Sequence, residues 1–276
     1  MKLAVNYSRP LVDLIEQDAI KVDLIKCPDW EGMIQESEKH GPVTLHYDLK
    51  AGLGDTFNVD FSRIKDLMVR TGTPHVNTHL VTPRQFDSKN TKEKKEINHL
   101  WRDEIQLMID QLGADKVALE HFPYTDATPH IRFATDTRTF NKVIDDTGCM
   151  LILDLAHACI TADSLGVDAK TYIASLPVER LVEMHITGIR SYAGFLTDHF
   201  PLAERDWEVF SWALDEINAG RWRTPEIIAF EYGGVGDTFV WRTSTDTIRT
   251  QVPRLYDLVH GNQLCQPITS FHQPIG

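Results

Sequence analysis

The chain has 276 residues and a formal net charge of −12 at pH 7, with 42% hydrophobic and 25% charged residues. That balance is ordinary for a globular protein, and no apolar run approaches the roughly 20 residues needed to cross a bilayer, so no membrane partner is expected. The excess of acid opposes nucleic-acid binding, which rests largely on Lys and Arg neutralising phosphates.

In chain order, MKLAVNYSRP meets Asn6, Tyr7 and Ser8 before a signal-peptide core of about 7 to 15 apolar residues can form, which predicts a cytoplasmic protein. Short β-rich runs follow at 3–6, 22–27, 43–47, 75–80, 116–122, 149–155, 181–186 and 226–232. Amphipathic, helix-like segments at 61–70, 97–113, 140–148, 207–220 and 247–261 lie between or after them, several closed by a glycine. Strand then helix, eight times over, predicts an α/β protein with a single (β/α)8 TIM barrel over 1–262. A doubly wound sheet is the alternative, but no Gly-rich phosphate loop follows the first strand. KNTKEKK at 89–95 reads as a solvated helix start, and Trp207, Phe210 and Trp212 as packing between helix and barrel. Residues 263–276 lose periodicity and form a C-terminal tail. The cysteines Cys27, Cys149, Cys159 and Cys265 show no CxxC spacing, so neither a disulfide framework nor a thiolate metal site is expected.

Barrel enzymes build their sites at the C-terminal ends of the strands. Six consecutive strands end alike here, in His46, His79, Glu120, Asp154, His185 and Glu231, all of metal-ligand type. Asp, Glu and His supply 52 of the 276 residues, so six such endings would arise by chance in roughly two chains per thousand. Converging carboxylates and imidazoles need shifted pKa values or bound cations. His157 follows Asp154 at i+3, and the loop after the seventh strand adds Asp198 and His199. Nine ligand-type side chains exceed what one ion takes, so two or three metals sharing a carboxylate fit better, with Glu120 the natural bridge. Strand alternation turns His121 away from the site, towards a structural role, and places Glu183 and Asn77 beneath His185 and His79. Asn6, Lys26, Tyr124, Arg190 and Tyr232 lie at or beyond strand ends, within reach of substrate.

The segments LHYDLKAGLGD, VNTHLVT, ALEHFPY, LDLAHACITADSLG, EMHITG, DHFPL and IAFEY resemble, in order and spacing, the multinuclear non-heme iron oxygenases, a family of xylose-isomerase-like barrels. The resemblance covers about 3–232. It implies two or three iron ions, at least one ferrous and one ferric, and dioxygen-dependent oxidation of a cysteine in a ribosomally made precursor peptide. A separate peptide-recognition partner protein is commonly involved. Carried over, His46, His79 and Glu120 would hold one iron; Glu120, Asp154, His185 and Glu231 a second; and His157, Asp198 and His199 a third. Glu120, Asp154 and His185 would be catalytic, and the strand-end positions of Asn6, Tyr124, Arg190 and Tyr232 make these the expected substrate-binding residues. One departure is visible: the family often separates the Asp and His of the strand-7 loop by one residue, whereas Asp198 and His199 are adjacent and Thr197 occupies the other position.

The same ligand types also resemble the endonuclease IV family of trinuclear zinc phosphodiesterases, and ligand identity does not separate iron from zinc. Acidity argues against a DNA enzyme. A metal-dependent sugar isomerase or epimerase would leave several of the nine residues without a task. A non-catalytic metal-binding or peptide-binding protein is the remaining alternative.

Overall fold

A computed structural model describes residues 1–261, so the expected tail at 263–276 lies outside the described residues. The sheet strands are β1 (Lys2–Asn6), β2 (Leu24–Pro28), β3 (Val43–His46), β4 (Lys50–Ala51), β5 (Val76–Leu80), β6 (Val117–His121), β7 (Met150–Asp154) and β8 (Leu181–Ile186). A hairpin, β9 (Gly188–Tyr192) and β10 (Phe195–Phe200), precedes the last strand, β11 (Ile227–Phe230). Helices α1 (Arg9–Glu16), α2 (Glu31–Ser37), α3 (Phe61–Thr71), α4 (Thr91–Leu112), α5 (Thr137–Thr147), α6 (Leu155–Leu165), α7 (Ala169–Ala174), α8 (Glu204–Asn218) and α9 (Thr245–Val259) separate or follow the strands. Asn90 caps α4 by accepting from Lys92 and Glu93 N–H, so this helix starts within KNTKEKK, six residues ahead of its apolar periodicity.

Nine strands form one curled, parallel sheet in the order β3-β2-β1-β11-β8-β7-β6-β5-β4. This differs from the expected closed eight-stranded barrel in one place. The third predicted strand breaks after His46: its first part pairs with β2, and its continuation, β4, pairs with β5. No backbone ladder joins β3 to β5. The Asn77 side chain spans that gap instead, its Oδ1 accepting from Tyr47 N–H at 2.7 Å and its Nδ2 donating to the Tyr47 carbonyl at 2.9 Å. A side-chain amide thus supplies the two hydrogen bonds a neighbouring strand would have made.

Strand alternation sorts the side chains. Leu3, Val5, Ile25, Leu119, Leu151, Leu153, Ile228 and Phe230 join the large apolar core that also contains helix residues Leu11, Leu14, Phe140 and Phe210. The other face holds small apolar clusters, such as Ala4, Leu24, Ile227 and Ala229, and, nearer the strand ends, buried Lys26, Asn77, His79, Glu120, Asp154, Glu183, His185 and Glu231. Trp207 and Trp212 pack against the core, as expected of that helix.

Candidate metal centre

The site is built on register. His79 on β5 stands beside Glu120 on β6, and Asp154 on β7 beside His185 on β8. Glu120, 1% exposed, divides its oxygens between two groups. Its Oε2 lies 3.3 Å from His79 Nε2 and 3.8 Å from His46 Nε2, while its Oε1 lies 3.3 Å from both His157 Nδ1 and His185 Nδ1. Three groups of ligand atoms are spaced so that each could hold a metal ion: His46, His79 and Glu120; His46, His185 and Glu231; and Glu120, Asp154 and His157. The fit to a cation shows in what lacks a partner. His79 Nδ1, Glu120 Oε2 and His185 Nδ1 are buried without a hydrogen bond, a cost that a bound ion at the last two would relieve.

Asp154 ends β7 and also caps α6, its Oδ1 accepting from His157 N–H at 2.8 Å. His157 therefore sits in the first turn of a helix, which fixes its backbone. Its Nδ1 donates to the His121 carbonyl at 3.0 Å, leaving Nε2 to face Asp198 Oδ2 at 3.1 Å. His185 is oriented from behind by Glu183, whose Oε1 lies 2.9 Å from Nε2, and Glu183 in turn meets His75 Nε2 at 2.7 Å. Asn77 reaches His46 Nε2 at 3.0 Å, and not the expected His79. His121 faces Phe140 and Tyr172 on the helix side, where burial pushes its ring down to about 3, the neutral packing role that alternation implies.

Asp198 and His199 come from the β9–β10 hairpin, outside the main sheet. Adjacent strand residues normally face opposite ways, yet both line the cavity. The pairing slips between Thr197 and Phe200, and His199 has φ +60°, so a bulge with a left-handed residue turns both side chains inward. This offers a physical route around the missing spacer residue. His199 Nδ1 donates to the Glu231 carbonyl at 2.6 Å, and Arg242 Nη1 donates to the Asp198 carbonyl at 2.9 Å. The Arg242 guanidinium lies 4.8 to 5.9 Å from the rings of Phe200, Trp241, Phe239 and Tyr192, clamping the hairpin to the loop that follows β11.

A cavity of about 570 Å³ opens over these groups, with Trp30, Met33, Phe122 and Phe239 among its apolar walls and His46, His79, Glu120, His157, Asp198, His199 and Glu231 lining it below. Of the residues expected to touch substrate, Asn6 and Lys26 line the cavity. Tyr124, Arg190 and Tyr232 are not among the lining residues. The Tyr124 ring lies beneath Arg132; Arg190 donates to the Ile189 and Pro201 carbonyls; Tyr232 stacks on Phe230, its hydroxyl donating to the Arg242 carbonyl. Alternation places Tyr232 on the helix side with Phe230, which its position at a strand end does not reveal.

Charge is shared unevenly. Burial raises the Asp154 carboxyl to about 6. Burial also acts on Asp198, but His199 and His157 outweigh it and bring that carboxyl down to about 2. Glu120 is held below the usual range, despite burial, by His79 and His185, and Glu231 by His185 and Lys26. Lys26 was not foreseen inside the cluster. It is 2% exposed, with Nζ 2.5 Å from Glu183 Oε1, 2.9 Å from Glu231 Oε1 and 2.6 Å from His185 Nε2. Burial opposes its charge, but Glu183 and Glu231 outweigh that and hold the ammonium protonated. Alternation along LIKCP points it inward, a signal present in the sequence but masked because a lysine is not a metal ligand.

A curled parallel sheet ringed by helices, with imidazoles and carboxylates gathered at its strand ends, defines a TIM-barrel-like protein with a candidate metal centre. The chain belongs to the RiPP precursor modification enzyme family MbnB/TglH/ChrH, whose pattern its residues 28–221 match. A UPF0276 protein of Acaryochloris marina is 27% identical over 189 residues, which are 64% of this chain and 66% of that one. Among solved structures, the IOLI protein with a bound zinc atom matches with TM-score 0.63 and 17% identity, over 95% of this chain and 99% of that one. A D-psicose 3-epimerase matches with TM-score 0.58 and 17% identity, over 93% and 96%. An AP endonuclease, family 2, from Brucella melitensis matches with TM-score 0.57 and 12% identity, over 90% and 96%. These three establish the shared xylose-isomerase-like fold and no more, since their names span different chemistries. Among the described residues, no helix is long and apolar enough to cross a membrane.

Proposed function

We propose that this protein is a multinuclear iron-dependent oxygenase or oxidase that uses dioxygen to modify a cysteine in a ribosomally synthesised precursor peptide, working with a separate peptide-recognition protein. The observation that carries this reading is Glu120, whose two oxygens face two different imidazole groups from a fully buried position. A carboxylate placed this way suits two ions that act together. The family supports a peptide substrate. His46, His79 and Glu120 would hold one iron, Glu120, Asp154, His185 and Glu231 a second, and His157, Asp198 and His199 the remaining position; such iron supplies dioxygen activation and electrons. Zinc would satisfy the same donors.

The chain's own residues do the rest. Glu183 holds His185, and the His121 carbonyl holds His157, each fixing which ring nitrogen faces the centre. Trp30, Met33, Phe122 and Phe239 offer an apolar wall to a short peptide segment and limit water around its thiol. Asn6, beside Lys26 in β-sheet register, is placed to donate or accept a hydrogen bond from that segment. The test is elemental analysis of anaerobically purified protein, followed by a mass measurement on cysteine-containing peptide from a neighbouring gene after exposure to air. Two or three irons and a cysteine-localised mass change are expected. Zinc alone, with cleavage of abasic DNA, would overturn the reading.

A further inference from the structure

Of the three groups spaced to hold an ion, one already has a cation beside it. In the His46, His185 and Glu231 group, Glu231 Oε1 is the oxygen that faces His185 Nδ1, at 3.4 Å, and the same oxygen lies 2.9 Å from Lys26 Nζ. An ion bonded to that oxygen at ~2.1 Å would lie within about 5 Å of the ammonium, where like charges in a buried site repel strongly. Lys26 has nowhere else to go: it is buried, and Glu183 Oε1 holds it from the other side at 2.5 Å.

We propose that Lys26 is a resident cation of this centre, filling the Glu231 corner so that the protein loads two metal ions and not three. One ion then belongs to His46, His79 and Glu120, and the other to Glu120, Asp154 and His157, with Asp198 Oδ2 3.1 Å from His157 Nε2. Charge counting agrees. Five carboxylates converge here, Glu120, Asp154, Glu183, Asp198 and Glu231, and among the described residues Lys26 is the ammonium that meets two of them. The four charges left over equal those of two divalent cations. The second and third positions implied by the resemblance thereby merge into one.

This inference rests on the reading of the cluster as a metal centre, and the experiment separates the two. Wild-type protein, Lys26→Met, Lys26→Arg and Glu231→Gln are stripped with chelator, loaded anaerobically with ferrous ammonium sulfate, desalted and analysed for iron per chain, with circular dichroism reporting folding. Wild type, Lys26→Arg and Glu231→Gln should each hold two irons, and Lys26→Met should gain a third. Three irons in wild type, a folded Lys26→Met that stays at two, or a Glu231→Gln that drops to one would each overturn the resident cation while leaving the metal centre in place. If Lys26→Met does not fold, wild type and Glu231→Gln still decide the matter. No iron in wild type, with zinc equally excluded, would overturn the metal centre itself.

Discussion

The wall side of the centre and its hairpin side hold the same residue types by different means. On the wall, His79, Glu120 and Asp154 stand on consecutive parallel strands, locked by backbone ladders and, for Asp154, by its capping bond to α6. On the other side, Asp198 and His199 stand on a two-stranded hairpin, turned inward by a bulge and held by Arg242, Phe239 and the Glu231 carbonyl. A wall ligand is positioned by the fold's own hydrogen bonding, a hairpin ligand by a few side chains. The hairpin is therefore the side that can adjust to an occupant, and the wall the side that sets the distance between ions.

The sharpest way to break this contrast is Glu120→Gln. Because its two oxygens serve two groups, the substitution should cost metal at more than one position, read by elemental analysis after anaerobic loading; loss of a single ion would contradict the bridging role. Next comes Asn77→Ala, which leaves the Tyr47 N–H and carbonyl without their partners in a buried gap. It should destabilise the fold by about 2 to 6 kcal/mol, at about 1 to 3 per stranded group, in denaturant unfolding. An unchanged midpoint would mean that the sheet edges close without this amide.

Asp154 allows its two tasks to be separated. Asp154→Asn and Asp154→Ala should both weaken metal binding, but only the alanine variant should also lose about 1 kcal/mol of apo-protein stability, since asparagine still caps a helix. Equal stabilities would argue that the cap contributes nothing. The smallest effect lies on the hairpin. His199 has φ +60°, so His199→Gly should be more stable than His199→Ala by up to about 1 kcal/mol, measured by thermal unfolding. The reverse order would show that the bulge relaxes when its imidazole is removed.

Much of the wall was legible in the sequence. Runs such as CMLILDL and KVALEHF name their strands by composition, and their last inward residues name the site, because parallel strands share one direction and one end. The hairpin was legible as residues but not as structure: TDHF shows two ligand types, whereas the bulge that turns both inward depends on pairing with 188–192. The ion pairing of Lys26 is illegible for another reason. Its neighbours in sequence are apolar, and its partners Glu183 and Glu231 are about 160 and 200 residues away, so no local pattern announces the ion pair. The break after His46 is likewise set by tertiary pairing, with β2 claiming one half of the segment and β5 the other.

The most direct test of the central claim is spectroscopic. Wild-type protein loaded anaerobically with isotopically enriched iron and partly oxidised should show, by Mössbauer and electron paramagnetic resonance, two irons magnetically coupled through a shared carboxylate, and Glu120→Gln should abolish the coupling. Iron bound as isolated, uncoupled ions in wild type would contradict a centre built around Glu120.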